Sequence, residues 1–325
     1  MASSAPVMIE TSHEDMIHDA QFDYYAKKVA TASSDRTIQI YDITDDVYNK
    51  SAVLTGHEGP VWQVAWAHPK YGVLLASCSY DGQVILHRES PPGVWSQIHS
   101  HRFHEASVNS VSWAPHEQGL LLACAGADGR VSVLSHNADD TWAPAHFQDS
   151  PLGCNAVSWA PAAAVGAPTP AAAAAAGEGP AAAAAGGPRR LATGSCDNKV
   201  RFWRSVDGLS WSEEPKQQDP HRDWVRDVAW APAGGLPCNL VASGSEDGAC
   251  YVWTQTAQTP AWCPQLVHRF DAPVWRVSWS VTGNVLAVSA GDHEVTLWKQ
   301  GLDGAWARLS AVGEAGAVPE PQPAS

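Results

Sequence analysis

A histidine, a serine and an aspartate fall in one short stretch of this chain, at His221, Ser243 and Asp247, and a tryptophan follows at Trp253. These are the residue types of a hydrolase: serine as nucleophile, histidine as base, aspartate to orient the imidazole. Their recurrence argues for something else. Partial copies stand at His57, Ser77 and Asp81, and again at His13, Thr31 and Asp35. Elsewhere Cys124 and Val288 replace the hydroxyl, and Ser150 and Phe270 replace the histidine. An active site is needed once, whereas a packing device recurs and tolerates lost members, so these residues read as structural fasteners. No isolated acid–base pair or metal-ligand spacing stands out, so no catalytic, cofactor-binding or metal residue is assigned. The group His99, His101 and His104 reads as a solvated loop rather than a metal site.

Strands must position these residues. Within residues 221–253 an apolar run ends at Trp230, and a second runs from Leu240 to a Ser245-Glu246-Asp247-Gly248 turn. A third run then reaches Trp253, which makes a three-stranded antiparallel meander. The unit recurs. An aromatic ends its first strand at Phe22, Trp66, Trp113, Trp159, Trp230 and Trp279, and the turn aspartate stands at Asp35, Asp81, Asp128, Asp197, Asp247 and Asp292. Six residues beyond each aspartate the third strand is expected to end, at Tyr41, His87, Leu134, Trp203, Trp253 and Trp298. A period of about 45–50 residues with two-residue alternation fits four-stranded propeller blades rather than helical solenoid repeats. The expected fold is therefore all-β, a six-bladed propeller spanning residues 11–310. A looser fourth strand often carries a tryptophan, as at Trp95, Trp142, Trp211 and Trp262. Trp306 follows the sixth unit in the same way, so the last blade can finish itself from the C-terminal side.

Composition sets the bounds. The 325 residues are 45% hydrophobic and include 16 tryptophans, enough to fill the core and the seams between units. Mean hydropathy is -0.21, as in a soluble globular protein. A formal net charge of -14 without a Lys/Arg cluster argues against a nucleic-acid partner. The seven cysteines lack a Cys-x-x-Cys pair, and Cys78, Cys124 and Cys196 fall where second strands are expected, so reduced thiols in a cytosolic or nuclear compartment are the reading. No stretch reads as a transmembrane segment or a signal peptide. Three segments depart from the repeat: residues 1–10, a candidate extra strand; an Ala/Gly/Pro-rich insertion at about 162–188 in the fourth blade, read as disordered or partly helical; and residues 311–325, read as a disordered tail.

The unit resembles the WD repeat, and that resemblance implies a pairing order: Asp247 accepts from the His221 ring, His221 accepts from the Ser243 hydroxyl, and Ser243 faces the Trp253 indole. A buried polar atom left unpaired costs about 1–3 kcal/mol, so a complete relay fixes one blade geometry. A usual WD propeller is clasped by an N-terminal strand in its last blade. Here Trp306 already fills that slot, which leaves residues 6–10 surplus, either at an open junction of the first and sixth blades or as the frayed end of an ordinary ring.

Longer strings are more specific. Ser12-His13-Glu14-Asp15-Met16-Ile17-His18-Asp19-Ala20, Gly56-His57-Glu58-Gly59-Pro60-Val61-Trp62 and Asp223-Trp224-Val225-Arg226-Asp227-Val228-Ala229-Trp230 resemble the Sec-thirteen family, the small WD-repeat subunit of the COPII outer coat. Gly291-Asp292-His293-Glu294-Val295-Thr296-Leu297-Trp298 does too. The resemblance implies an open six-bladed propeller whose seventh blade comes in trans from a solenoid partner. That partner would be the large COPII outer-coat subunit at endoplasmic-reticulum exit sites, with peripheral membrane association through the coat. At the nuclear pore it would be a Y-complex scaffold nucleoporin, and a nutrient-signalling complex is a third setting. The implied partner-blade faces are Val7, Ile9, Ile38, Ile40, Val295 and Leu297. The rival reading is a self-closed WD-repeat adaptor that recognises peptides, in a ubiquitin ligase or on chromatin.

Overall fold

The computed structural model describes residues 9–45, 47–162, 188–232, 238–292 and 294–313. Those residues form 24 strands in six four-stranded antiparallel sheets, the six blades of a β-propeller. The helical turns among them are two short 3-10 pieces, Pro69–Tyr71 and His116–Gln118.

The chain divides into two compact units. In the unit Ile9–Trp159, sheet 1 is β1 (Ile17–Phe22), β2 (Lys28–Ser33), β3 (Ile38–Thr44) and β4 (Val47–Leu54). Sheet 2 is β5 (Val61–Trp66), β6 (Val73–Ser79), β7 (Val84–Glu89) and β8 (Trp95–His101). Sheet 3 is β9 (Val108–Trp113), β10 (Leu121–Gly126), β11 (Arg130–His136) and β12 (Trp142–Gln148), and β13 (Cys154–Trp159) is the first strand of sheet 4. In the second unit, β14 (Arg189–Ser195), β15 (Val200–Ser205) and β16 (Ser212–Glu213) complete the order of sheet 4. Sheet 5 is β17 (Val225–Trp230), β18 (Cys238–Ser245), β19 (Ala249–Thr256) and β20 (Cys263–Arg269). Sheet 6 is β21 (Val274–Trp279), β22 (Leu286–Ala290), β23 (Glu294–Gln300) and β24 (Trp306–Gly313).

The turn between second and third strands decides the local geometry. The residue after the aspartate takes a left-handed conformation at Arg36, Gly82, Gly129, Asn198 and Gly248, and the chain then reverses into the third strand. Glycine meets no steric cost there, and asparagine tolerates the conformation. The third strands run past their expected ends, to Thr44, Glu89, His136, Ser205, Thr256 and Gln300, because polar residues continue the ladder at the rim. Sheet 4 has the shortest outer strand. After Glu213 the chain turns aside, Trp262 donates its N–H to the Pro215 carbonyl at 3.0 Å, and Lys216 caps the Val200 carbonyl at 2.7 Å.

The core follows from strand parity. The residues three and five beyond each turn aspartate point to the same side of their sheet. In sheets 1 to 5 these are Ile38 and Ile40, Val84 and Leu86, Val131 and Val133, Val200 and Phe202, and Cys250 and Val252, all 1% exposed or less. Ile38 and Ile40 pack on Val61, Val64 and Leu75 of the following sheet, so they do not offer a face to a partner, and that expectation is corrected. Cys250 and Val252 pack in the same way on Val274 and Val277. Sheets approach so closely there that Gly244 has no room for a side chain: an added Cβ would lie 2.4 Å from Val274 Cγ1.

Other expectations also shift. Cys196 lies one residue beyond β14 instead of inside it, and all seven cysteines are free thiols. β24 runs on to Gly313, into the stretch read as tail. Ile9 and Glu10 lie outside any strand, while Val7, residues 163–187 of the insertion and residues 314–325 lie outside the described residues. His99 and His101 stand on β8 and stack on Trp142 and Phe103, respectively, in place of the expected loop.

Gly244→Val should destabilise the protein by about 1–3 kcal/mol, because overpacking a filled seam forces backbone movement. A thermal melt against wild type reads this out, and an unchanged midpoint would mean the seam is looser than described.

Candidate functional site

In sheets 1, 2, 3 and 5 the relay residues come together where the loop before the first strand meets the aspartate turn. His57 Nδ1 lies 3.1 Å from Asp81 and its Nε2 2.9 Å from the Ser77 hydroxyl. His13 stands likewise, 2.7 Å from Asp35 and 2.8 Å from Thr31. In sheet 5 the Trp253 indole donates to Ser243 at 2.9 Å, and His221 Nε2 lies 2.7 Å from the same hydroxyl. Its Nδ1 is 3.7 Å from Asp247, too far for a hydrogen bond, so the stretch that keeps all four residue types does not close the full chain of bonds.

The aspartates have a second job that the relay pattern hides. Asp81 accepts the backbone N–H of Glu58 and of Gln83, both at 2.8 Å, so one carboxylate ties the entering loop to the turn. Asp247 does the same with Arg222 and Ala249, both at 2.8 Å. Burial alone would raise these carboxyls. The bonds from His57 and the two N–H groups outweigh it and bring Asp81 to about 2, and those from His13, Thr37 and Glu14 bring Asp35 to about 2. Asp247 is also held well below the ordinary carboxylate range. Burial lowers His87 to about 4, so it stays neutral beside this network.

Missing members are compensated from one position, four residues beyond the aspartate. In sheet 3, where Cys124 replaces the hydroxyl, Ser132 stands opposite it in register and lies 2.9 Å from His104 Nε2. Sheet 4 lacks the histidine, and Arg201 pairs with Asp197 instead. In sheet 6, where Val288 replaces the hydroxyl, Thr296 accepts the Trp298 indole at 2.8 Å. The signal was present in the sequence as a polar residue at one fixed offset, Ser132, Arg201 and Thr296.

A second set of bonds escaped the sequence analysis. The tryptophan ending a first strand donates its indole N–H to the preceding sheet: Trp66 to the Gln21 carbonyl, Trp113 to Ala65, Trp159 to Ser112 and Trp279 to Ala229, each at 2.9 Å. Two residues earlier a valine N–H meets a side-chain acceptor on the same neighbour: Val64 with Asp19, Val111 with Gln63, Val157 with Ser110 and Val277 with Asp227. Sheet 1 departs from this at both positions. Ala20 and Phe22 stand there, both exposed, and phenylalanine has no N–H to donate.

The face that differs is on sheet 6. Val295 and Leu297 hold the positions that are fully buried in the other sheets, yet Val295 is 39% exposed and Leu297 half-buried. Ala287 and Ser289 beside them on β22 are half-buried too. Among the described residues no group of three or more His, Cys, Asp or Glu could hold a metal ion, and no helix is long and apolar enough to cross a membrane.

A family model described as WD domain, G-beta repeat matches residues 5–42, 213–254 and 264–299, and one for the anaphase-promoting complex subunit 4 WD40 domain matches residues 65–161. Among curated proteins, the protein transport protein SEC13 homolog A of Arabidopsis thaliana is 51% identical, over 94% of this chain and 99% of its own length. The SEC13 homologs of Dictyostelium discoideum and Homo sapiens are 50% and 48% identical, each over 94% of this chain and over 97% and 92% of their own lengths.

Two outcomes follow from the relays. A carboxyl held low in the folded state contributes stability above its unfolded pKa, and that contribution is lost as pH falls from 3.8 toward about 2. The melting temperature of wild type should therefore drop steeply across this window, and Asp81→Asn should start lower and drop less. Ser132→Ala should cost about 1–3 kcal/mol in denaturant unfolding, because His104 loses a buried partner. Equal stabilities would show that the hydroxyl carries no bond.

Proposed function

Since the chain belongs to the SEC13 family of WD-repeat proteins, we propose that it is a non-enzymatic scaffold subunit of a protein-transport coat, the COPII outer cage, completed by a blade from a partner chain. The large outer-coat solenoid subunit is the partner at endoplasmic-reticulum exit sites. A scaffold nucleoporin of the Y complex takes the same place at the nuclear pore, and a nutrient-signalling complex is a further setting of the same propeller. The domain layout on which this rests is a propeller from residue 11 to the end of β24 at Gly313, with 1–10, the insertion and the residues after 313 as appendages.

The exposure of Val295 and Leu297 carries the reading. The same two positions are closed over in sheets 1 to 5, so sheet 6 has the residues of a seam and an uncovered side. Uncovered apolar sheet faces mark interaction sites, and strand addition covers them with both side-chain burial and backbone bonds. Sheet 6 also draws all four of its described strands from residues 274–313, so it has no need of an N-terminal strand to reach the usual four. A rigidly seated foreign blade would fix the propeller to its solenoid and stiffen the cage edge against membrane bending. The work is mechanical.

Co-expression of the full chain with the solenoid partner's insertion segment should give a complex that survives a high-salt wash, because apolar burial and backbone pairing are weakly screened. The double substitution Val295→Glu, Leu297→Glu should abolish capture and leave the melting temperature close to wild type. Dissociation of the wild-type complex in salt, or a chain that stays monomeric and ignores the segment, would favour a self-closed peptide-binding adaptor instead.

A further inference from the structure

The four seams described above have a common grammar, and it specifies what sheet 6 lacks on its uncovered side. Each accepting carbonyl belongs to the residue just before the first-strand aromatic: Gln21, Ala65, Ser112 and Ala229. Each of these pairs in register with an alanine on the second strand, Ala30, Ala76, Ala123 and Ala242. Ser278 pairs with Ala287 in the same way, which aims its carbonyl along the direction that the other four use toward an incoming indole. Ser278 is exposed.

The second half of the grammar is changed. Asp19, Gln63, Ser110 and Asp227 hold the acceptor position, opposite Ala32, Cys78, Ala125 and Gly244. At that register in sheet 6, opposite Ser289, stands Arg276. It is a donor where each of those four seams has an acceptor, its side chain is 38% exposed, and its Nε forms an ion pair with Asp227 at 3.9 Å. A backbone N–H set against a guanidinium would be repelled, whereas a carboxylate would be attracted and could bond it in two places.

We infer that the occupant of this face is a β-strand of another chain that donates a side-chain N–H, as an indole does, to the Ser278 carbonyl and sets a carboxylate against Arg276. This rests on the trans-completion reading above and names the chemistry of the partner strand. The chain's own ends fit poorly. Residues 1–10 contain no tryptophan, and neither do residues 314–325. The apolar middle of the strand covers Val295 and Leu297, and the two polar contacts fix its register, since a slip by one residue would turn both away.

The test uses the full chain and the solenoid insertion segment of the preceding experiment, with affinity measured at low and high salt. Wild type should bind at both and weaken modestly with salt. Arg276→Gln should bind about tenfold more weakly at low salt and lose most of the salt dependence, Arg276→Asp should be weaker still, and Arg276→Lys should keep the wild-type salt response. Replacing the segment's tryptophans by phenylalanine one at a time should identify one whose loss weakens binding. Melting temperatures of the variants separate a folding defect from a lost contact, and the lysine variant carries the comparison if glutamine lowers stability.

Wild-type capture with unchanged affinity and salt slope in Arg276→Gln overturns this inference and leaves the scaffold reading intact. Absence of wild-type capture overturns both. Tighter capture after deletion of residues 1–8 would mean that the chain's own N-terminus competes for the face, and that result also overturns the inference.

Discussion

The structure depends on one constraint: an apolar sheet face must be covered, and in a propeller only the next sheet can cover it. Each sheet places two side chains of its third strand toward its successor, and the successor returns the valine and tryptophan of its first strand. Ile38 and Ile40 against Val61 and Val64 are one instance, and Cys250 and Val252 against Val274 and Val277 are another. Such a seam is mostly apolar burial, at roughly 25 cal/mol per Å², so it supplies most of the stability and little of the geometry. Geometry comes from the indole–carbonyl bond and the valine N–H bond, which are directional and hold neighbouring first strands at one offset.

The histidine–aspartate relays belong to a different level. They act within a sheet and fasten the loop entering the first strand to the turn between second and third. This explains why they tolerate loss. The carboxylate takes two backbone N–H groups as well as the ring, so a sheet without its histidine, such as sheet 4, still anchors the turn through Arg201. Seams have no comparable redundancy, because an uncovered pair such as Val295 and Leu297 has no local substitute for a neighbouring sheet. The fold is thus insulated from the wear of its relays but not from the state of its last face.

Much of this was legible in the chain. The spacing of aromatic, aspartate and third-strand residue placed all six sheets, because backbone periodicity and turn chemistry are local and leave a local trace. What lay across sheets was harder to read. Ile38 and Ile40 looked equivalent to Val295 and Leu297, and by register they are. What differs is the neighbour, and no property of either strand records it. Compensation by Ser132 and Thr296 was missed because the hydroxyl moved to the adjacent strand, and that by Arg201 because a guanidinium on the third strand took over the ring's pairing with the aspartate. Ala20 and Phe22, where other sheets carry valine and tryptophan, could have been noticed from the repeat alone, since phenylalanine has no N–H to donate.

The central claim is that sheet 6 keeps an uncovered apolar face until another chain closes it. Hydroxyl-radical footprinting of the isolated protein, read by mass spectrometry, measures this directly. Oxidation at Val295 and Leu297 should be strong while Val84 and Leu86, which hold the same register in sheet 2, stay protected. Equal protection at all four residues would contradict the account, because it would mean that the free chain already covers the face left for its partner.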